Sequence, residues 1–314
     1  MTKQLKHLII YLFFCCFSVI LGNEKTFKTS NEQVPIKENP FVIIIPSYNN
    51  SRWYESNIET VLHQKYNNFR VIYINDGSSD KTGELVENYM KKISPYNRSF
   101  FRSMSFDDKF SRSISDCTQK FKNRINARPV FFTLINNVNR CGALYNLYRS
   151  IYSCSDDEII VTLDGDDWFS DDEVLKRLNE TYNSREVWLT HGTLIEYPQG
   201  KASWCEPVPE DIITRNGFRE FKCPSHLRTF YTWLFKKIEL KDLLYEGKFF
   251  SMTWDMAIMY PMIEMCGERH AFISTPNYIY NTSNPINDNK VNADLQNFLD
   301  KYIRQSTRYK RLEK

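Results

Sequence analysis

The chain has almost no net charge: 41 Lys and Arg stand against 38 Asp and Glu over 314 residues. No broad cationic field is available to hold nucleic acid, so any phosphate must be met by a local arrangement. There is no C-x-x-C pair, which removes the usual zinc frameworks. Internal repeats and the composition of disordered chains are absent as well. Between Pro46 and Trp53, just after the first apolar strand, there is no glycine, so the backbone loop that cradles a triphosphate is missing there.

What is present is enough apolar material for one large core, with 42% hydrophobic and 15% aromatic residues. Residues 1–22 carry Lys3 and Lys6 ahead of an uncharged run, Leu8 to Leu21, and read as a targeting segment. That run is shorter than the roughly 20 residues of a full span. It fits a signal peptide cut near Gly22 or an uncleaved signal anchor, since Ile20 stands where cleavage favours a small residue. The second reading makes the protein membrane-anchored and the first sends it along a secretory route. Residues 23–39 read as a stem. Cys117, Cys141, Cys154, Cys205, Cys223 and Cys266 are an even number, compatible with disulfides in a secretory compartment.

Residues 159–168, IIVTLDGDDW, set an apolar strand directly before Asp164, Asp166 and Asp167. Such a strand aims its acids out of the carboxyl end of a sheet, where hard divalent cations and phosphates are held in α/β folds. The same alternation of strand and helix appears earlier. Phe41–Ile45 is an apolar run stopped by Pro46. Ile58, Val61 and Leu62 mark a helix capped by Ser56 or Asn57, and Phe69–Ile74 is a second strand ending in Asn75-Asp76-Gly77-Ser78. Leu85, Val86 and Tyr89 mark a helix entered through Ser79 or Asp80. Strand, helix, strand, helix within about fifty residues predicts parallel pairing and a three-layer α/β domain. Residues 94–128 read as a basic insertion, facing phosphates or lipid or simply solvated. Val130–Ile135 returns to strand, the turn Asn139–Gly142 follows, and Leu144, Leu147, Tyr148 and Ile151 trace a helix. Beyond Asp167 the pattern is irregular and aromatic, suited to core or to stacking on sugar faces.

Three separated elements, VIIIPSYN at 42–49, NDGSSD at 75–80 and LDGDD at 163–167, resemble glycosyltransferase family 2, inverting enzymes of the GT-A fold. The resemblance covers residues 40–290, with 291–314 as a tail. It implies a Rossmann-like three-layer domain with a mainly parallel sheet and an irregular, aromatic-rich acceptor region. It also implies a nucleotide-sugar donor, most often a UDP-sugar, and a glycan, lipid or protein hydroxyl as acceptor. Asp76 would read the base beside Tyr48 and Pro46, Asp164 would lie near the ribose, and Asp166 would hold Mn²⁺ or Mg²⁺. Arg140, in its turn, is either a phosphate contact or a surface residue. Asn75 stands where the family often has a further acid, and the interval from Asp76 to Asp164 is longer than usual.

Inverting transfer needs a carboxylate to take the acceptor proton. Asp255, opening the apolar stretch TWDMAIMYPMIEMCG, matches the family's position for that base, while capping of the helix is the rival reading and Glu264 the fallback. His226, Arg228 and Trp254 are candidate acceptor contacts. The tail Tyr278–Lys290 is read as a lid. A sugar nucleotidyltransferase and a carbohydrate-binding protein of the same fold without chemistry are the alternatives.

Overall fold

The computed structural model describes residues 37–94, 99–106, 130–203, 205–222 and 224–313. The targeting segment, most of the stem, Cys117, Cys223, Trp204 and most of the basic insertion lie outside the described residues. No described helix is long and apolar enough to cross a membrane.

One ten-stranded sheet organises the described residues. Its strands include β1 (Phe41–Ser47), β2 (Phe69–Asp76), β3 (Ser99–Phe106), β4 (Val130–Asn137), β5 (Ile159–Thr162), β6 (Trp168–Phe169), β7 (Leu189–Tyr197), β8 (Arg228–Tyr231) and β9 (His270–Asn281). Across the sheet they run β3-β4-β2-β1-β5-β8-β7-β9-β6. From β3 to β5 every pairing is parallel, as is β7 with β9, while β8 runs antiparallel to both neighbours. The mainly parallel α/β architecture is therefore the expected one. The stretch after Asp167, irregular as sequence, supplies four of the named strands. The edge strand β3 falls in the part read as an insertion, and it pairs in register with β4.

Strand periodicity explains the layers. Val42 and Ile44 face one core, with Leu144, Leu147 and Ile151 of α3 (Ala143–Tyr152). Phe41, Ile43 and Ile45 face the other, with Ile58 and Val61 of α1 (Tyr54–Leu62), Val86 and Met90 of α2 (Thr82–Ile93), and Leu175 and Leu178 of α4 (Val174–Ser184). Alternate side chains of one strand bury on opposite faces, which is why β1 is apolar throughout rather than alternating. Helix α5 (Trp254–Cys266) is buried all along from Met256 onward. A helix apolar on every side belongs inside a protein. It lies in the first core with α6 (Ala293–Gln305), whose Leu299 and Ile303 are buried, so the residues after 290 pack into the same unit.

Local readings need correction at three places. Neither Ser56 nor Asn57 caps α1: the helix starts at Tyr54, and Asn57 is inside it. Ser79 and Asp80 precede Lys81, the residue at the entrance of α2, and Asp80 instead accepts bonds from the backbone N–H groups of Ser51 and Thr82. Cys154 and Cys266 are buried free thiols rather than disulfide halves, and burial pushes both up from the ordinary thiol range. A thiol behaves here as a small apolar side chain.

Glu264, the fallback base, is fully buried in α5. Arg219 Nε donates to its Oε1 at 2.6 Å and Nη2 to its Oε2 at 3.0 Å, while Nη1 reaches the Ile303 carbonyl at 2.7 Å. The backbone N–H of Tyr309 completes the carboxylate at 2.9 Å. The pair is a latch for the carboxyl-terminal segment. Replacing Arg219 by Ala leaves a buried carboxylate without its partner and is expected to cost about 3–5 kcal/mol in urea denaturation, with the double variant Arg219→Met/Glu264→Leu recovering most of it.

Candidate functional site

The parallel strands β1, β2, β4 and β5 end on one side of the sheet, at Ser47, Asp76, Asn137 and Thr162. Because β8 runs the other way, its first residue, Arg228, sits opposite Thr162 at that same end. The end of β9, which is parallel to β7, arrives there too. Above these ends opens a cleft of about 260 Å³. Pro46, Tyr48, Asp76, Arg140, Asp164, Asp166, His226, Arg228, Trp254 and Asp255 all line it. Six stretches of chain, from residue 46 to residue 255, thus deliver these candidate residues to one place, while Glu264 stays in the core. Asp76 and Asp166 share a wall rather than opposite faces of the molecule.

Two glycines make the convergence possible. A Cβ on Gly165 would lie 2.5 Å from both Cβ and Oγ of Ser47, so the acidic loop can nest against the end of β1 only without a side chain there. Gly77 has φ +67°, and a Cβ on it would lie 2.8 Å from the Arg140 backbone nitrogen. Both conditions favour glycine.

Asp76 is almost fully buried and accepts three bonds. Asn137 Nδ2 and the Cys141 N–H reach Oδ1 at 2.8 Å each, and the Gly142 N–H reaches Oδ2 at 2.8 Å. The carboxylate therefore fastens the turn before α3, and that turn carries Arg140, whose guanidinium lies 4.1 Å from the Tyr48 ring centroid. Arg140 is exposed, as a turn residue would be, and its guanidinium lies over an aromatic face at the cleft.

The three acids after β5 differ. Asp167 points inward: Tyr278 O–H donates to its Oδ2 at 2.6 Å and the Asn281 N–H to its Oδ1 at 2.6 Å, so it braces the end of β9. Asp164 lies nearer the cleft, 3.7 Å from His226 Nε2. Asp166 accepts from Asn284 Nδ2 at 2.7 Å. Burial first, and the charge of Asp164 second, push Asp166 up to about 6; burial raises Asp164 and Asp167 as well. Loss of water disfavours a charge, and neighbouring carboxylates add to the penalty. From behind, Asn57 Nδ2 donates to the carbonyls of Asp164 at 2.9 Å and Asp167 at 2.6 Å, so a residue read as a helix cap in fact holds the acidic loop.

On the opposite wall, Arg228 is 4% exposed and its guanidinium is engaged on every side. Nε donates to the Pro224 carbonyl at 3.2 Å, Nη1 to His226 Nε2 at 2.7 Å, and Nη2 to Asp255 Oδ2 at 2.6 Å. Burial and the Arg228 charge hold His226 well below the usual imidazole range, so its ring is neutral, stacked on Tyr278 at 4.3 Å between centroids. His226 and Arg228 thus stand as a positioned pair behind Asp255. Asp255 lies in the first turn of α5 and makes no capping bond, since that helix has no side-chain cap. Of the aromatic excess, Phe218, Phe230, Phe235 and Phe250 are core, while Trp254 and Tyr280 line the cleft. The segment read as a lid begins as strand, in β9, and continues as a strap whose Asn284, Ile286 and Asn287 also line the cleft. The bonds of Tyr278, Asn281, Asn284 and Asn57 to the acidic loop were not foreseen, for a neutral side chain that meets a distant loop across the fold carries no periodic signal.

Residues 42–105 match the profile of Glycosyl transferase family 2. An uncharacterized glycosyltransferase of Rickettsia bellii is 49% identical over 45 residues, 14% of this chain and 6% of that protein. Another from Rickettsia felis is 35% identical over 83 residues, 24% of this chain and 14% of its own length. The chain thus spans only a small part of these curated relatives. Among solved structures, S. aureus TarS 1-349 in complex with UDP superposes with a TM-score of 0.51 at 14% identity, over 78% of this chain and 61% of that one, a likeness of fold.

If Asn57 holds the acidic loop, Asn57→Ala strips two buried carbonyls of a donor and costs about 1–3 kcal/mol in chemical denaturation. Asn57→Asp, which adds charge beside three acids, is expected to cost more. Equal stability of both variants and the parent would show that the loop is held by other means.

Proposed function

We propose that this chain, which carries a glycosyltransferase family 2 domain, moves a sugar from a nucleotide diphosphate donor to a hydroxyl acceptor with inversion, assisted by a divalent cation. One observation supports this above others: Asp76, Arg140, Asp164, Asp166 and Asp255 occupy a single cleft at the carboxyl ends of parallel strands. Fold likeness alone would not reach so far, since one fold serves many activities.

The donor set suits a hard cation. Asp164 and Asp166 are two half-buried, oxygen-bearing acids, and Arg228, the cation that lowers Asp164, is already shared by His226 and Asp255. Among the described residues no three acids, histidines or cysteines converge on one point. That favours Mn²⁺ or Mg²⁺ bound through one or two carboxylates, with phosphate and water completing the shell, over an all-protein cage. Asp166 would hold the ion, which when bound supplies positive charge to the departing diphosphate. Arg140 and Tyr48 flank the place for the base, and Asp76 keeps the turn of Arg140 in position. Uridine diphosphate is the first donor nucleotide to test.

Asp255 takes the proton of the acceptor hydroxyl. Arg228 holds its Oδ2 and leaves Oδ1 for the transfer. As that proton leaves, the acceptor oxygen forms its bond to the anomeric carbon, and the electron pair of the old glycosyl bond departs with the diphosphate. Trp254, beside the base, offers a flat face to the acceptor sugar or aglycone.

A panel of nucleotide sugars with Mn²⁺ present identifies the donor by thermal stabilisation, because a bound ligand raises apparent stability. With that donor, Asp255→Asn is expected to lower kcat by about 10²–10⁴ and leave donor affinity unchanged. Asp166→Ala is expected to abolish turnover and weaken donor binding while the protein stays folded. An active Asp166→Ala variant refutes the metal role, and donor binding by the parent with neither transfer nor hydrolysis means a binding protein instead.

A further inference from the structure

We infer that Asn284 is the positioning residue of the cation-bearing carboxylate, a role that rests on the metal reading above. Asn284 is 5% exposed, 118 residues from Asp166, and its Nδ2 donates to Asp166 Oδ2 at 2.7 Å. Its own amide oxygen is not idle: it accepts the Ile286 N–H at 3.2 Å, which fixes which end of the amide faces the acid. The backbone around it is held independently. Lys290 Nζ donates to the carbonyls of Asn284 at 3.0 Å and Thr282 at 2.6 Å, and Asn287 Nδ2 to that of Asn281 at 3.0 Å. Asn281 ties the strap to the acidic loop through Asp167 Oδ1 and the Asp166 carbonyl. The strap is thus anchored without Asn284, whose side chain is committed to orienting Asp166.

The choice of an amide has a physical consequence. A lysine or arginine at this place would neutralise Asp166 and compete with a bound cation. An amide N–H fixes the carboxylate and leaves its charge intact. Carboxylates that hold metals are commonly oriented by such outer hydrogen bonds, whose loss lowers metal affinity about 10–100-fold.

The test reads metal rather than turnover. Mn²⁺ is titrated by electron paramagnetic resonance into the full chain with each common nucleoside diphosphate present and no acceptor. Asn284→Ala is expected to weaken Mn²⁺ about 10–100-fold. Asn284→Gln, which keeps an amide donor, recovers part of the loss and also serves if the alanine variant fails to fold. Thr282→Val removes the strap's side-chain bonds to the Tyr197 carbonyl and to Gln199 without touching Asp166, and it leaves Mn²⁺ affinity unchanged. Parent-like affinity in the Asn284 variants overturns the inference, as does an equal loss in Thr282→Val, which would make the strap merely structural. A parent chain that holds no Mn²⁺ with any nucleotide sinks the metal reading itself.

Discussion

Negative charge buried without an equal number of cations is the constraint around which this protein is arranged. Three aspartates follow β5 within four residues, and burial raises all of them. Their ordering donors are mostly neutral: the amides of Asn57, Asn281 and Asn284 and the Tyr278 hydroxyl. A fold that sought stability alone would place lysine or arginine there, since an unpaired buried charge is costly. Neutral donors fix positions and leave the charge to be met by something else, which is the logic of a binding site.

The opposite wall is built the other way. Arg228 is buried between a neutral imidazole and Asp255, so a cation and a carboxylate satisfy each other and the carboxylate is oriented. The cleft therefore offers two settings, acids ordered mainly by neutral donors and a carboxylate paired with a buried cation. In the proposed reaction a donor diphosphate with its ion would meet the first, and an acceptor hydroxyl the second. The same division separates acids that brace from acids that face the cleft. Asp76 and Asp167 spend their oxygens on backbone and neutral donors, whereas Asp164, Asp166 and Asp255 keep side-chain surface toward the opening.

Much of this was legible in the chain itself. Apolar strands that bury both faces, with helices of 3.6-residue period between them, point to a parallel sheet. In such a sheet the residues just past each strand must meet at one edge, which is why Asp76, Asp164 and Asp166 could be placed together from their positions alone. Reading failed where residues obey no period. The stretch after Asp167 looked irregular because β8 runs against its neighbours and its strands are separated by short helices. Asn57 looked like a cap because Asn is good at capping, yet a bond to a loop more than a hundred residues away outweighed local preference. Glu264 shared a helix with Asp255, and only packing shows that nine residues of helix carry it to the buried latch with Arg219.

The order of residues by itself determined the class of fold, the edge of the sheet at which chemistry gathers, and the acids that gather there, because hydrophobic periodicity is local and dictates which way each strand end points. Tertiary structure alone decided which acids are braces and which face the cleft, and which distant amides hold them. Those outcomes depend on hydrogen bonds between segments far apart in the chain, and a single polar side chain carries no local mark of the partner it will meet.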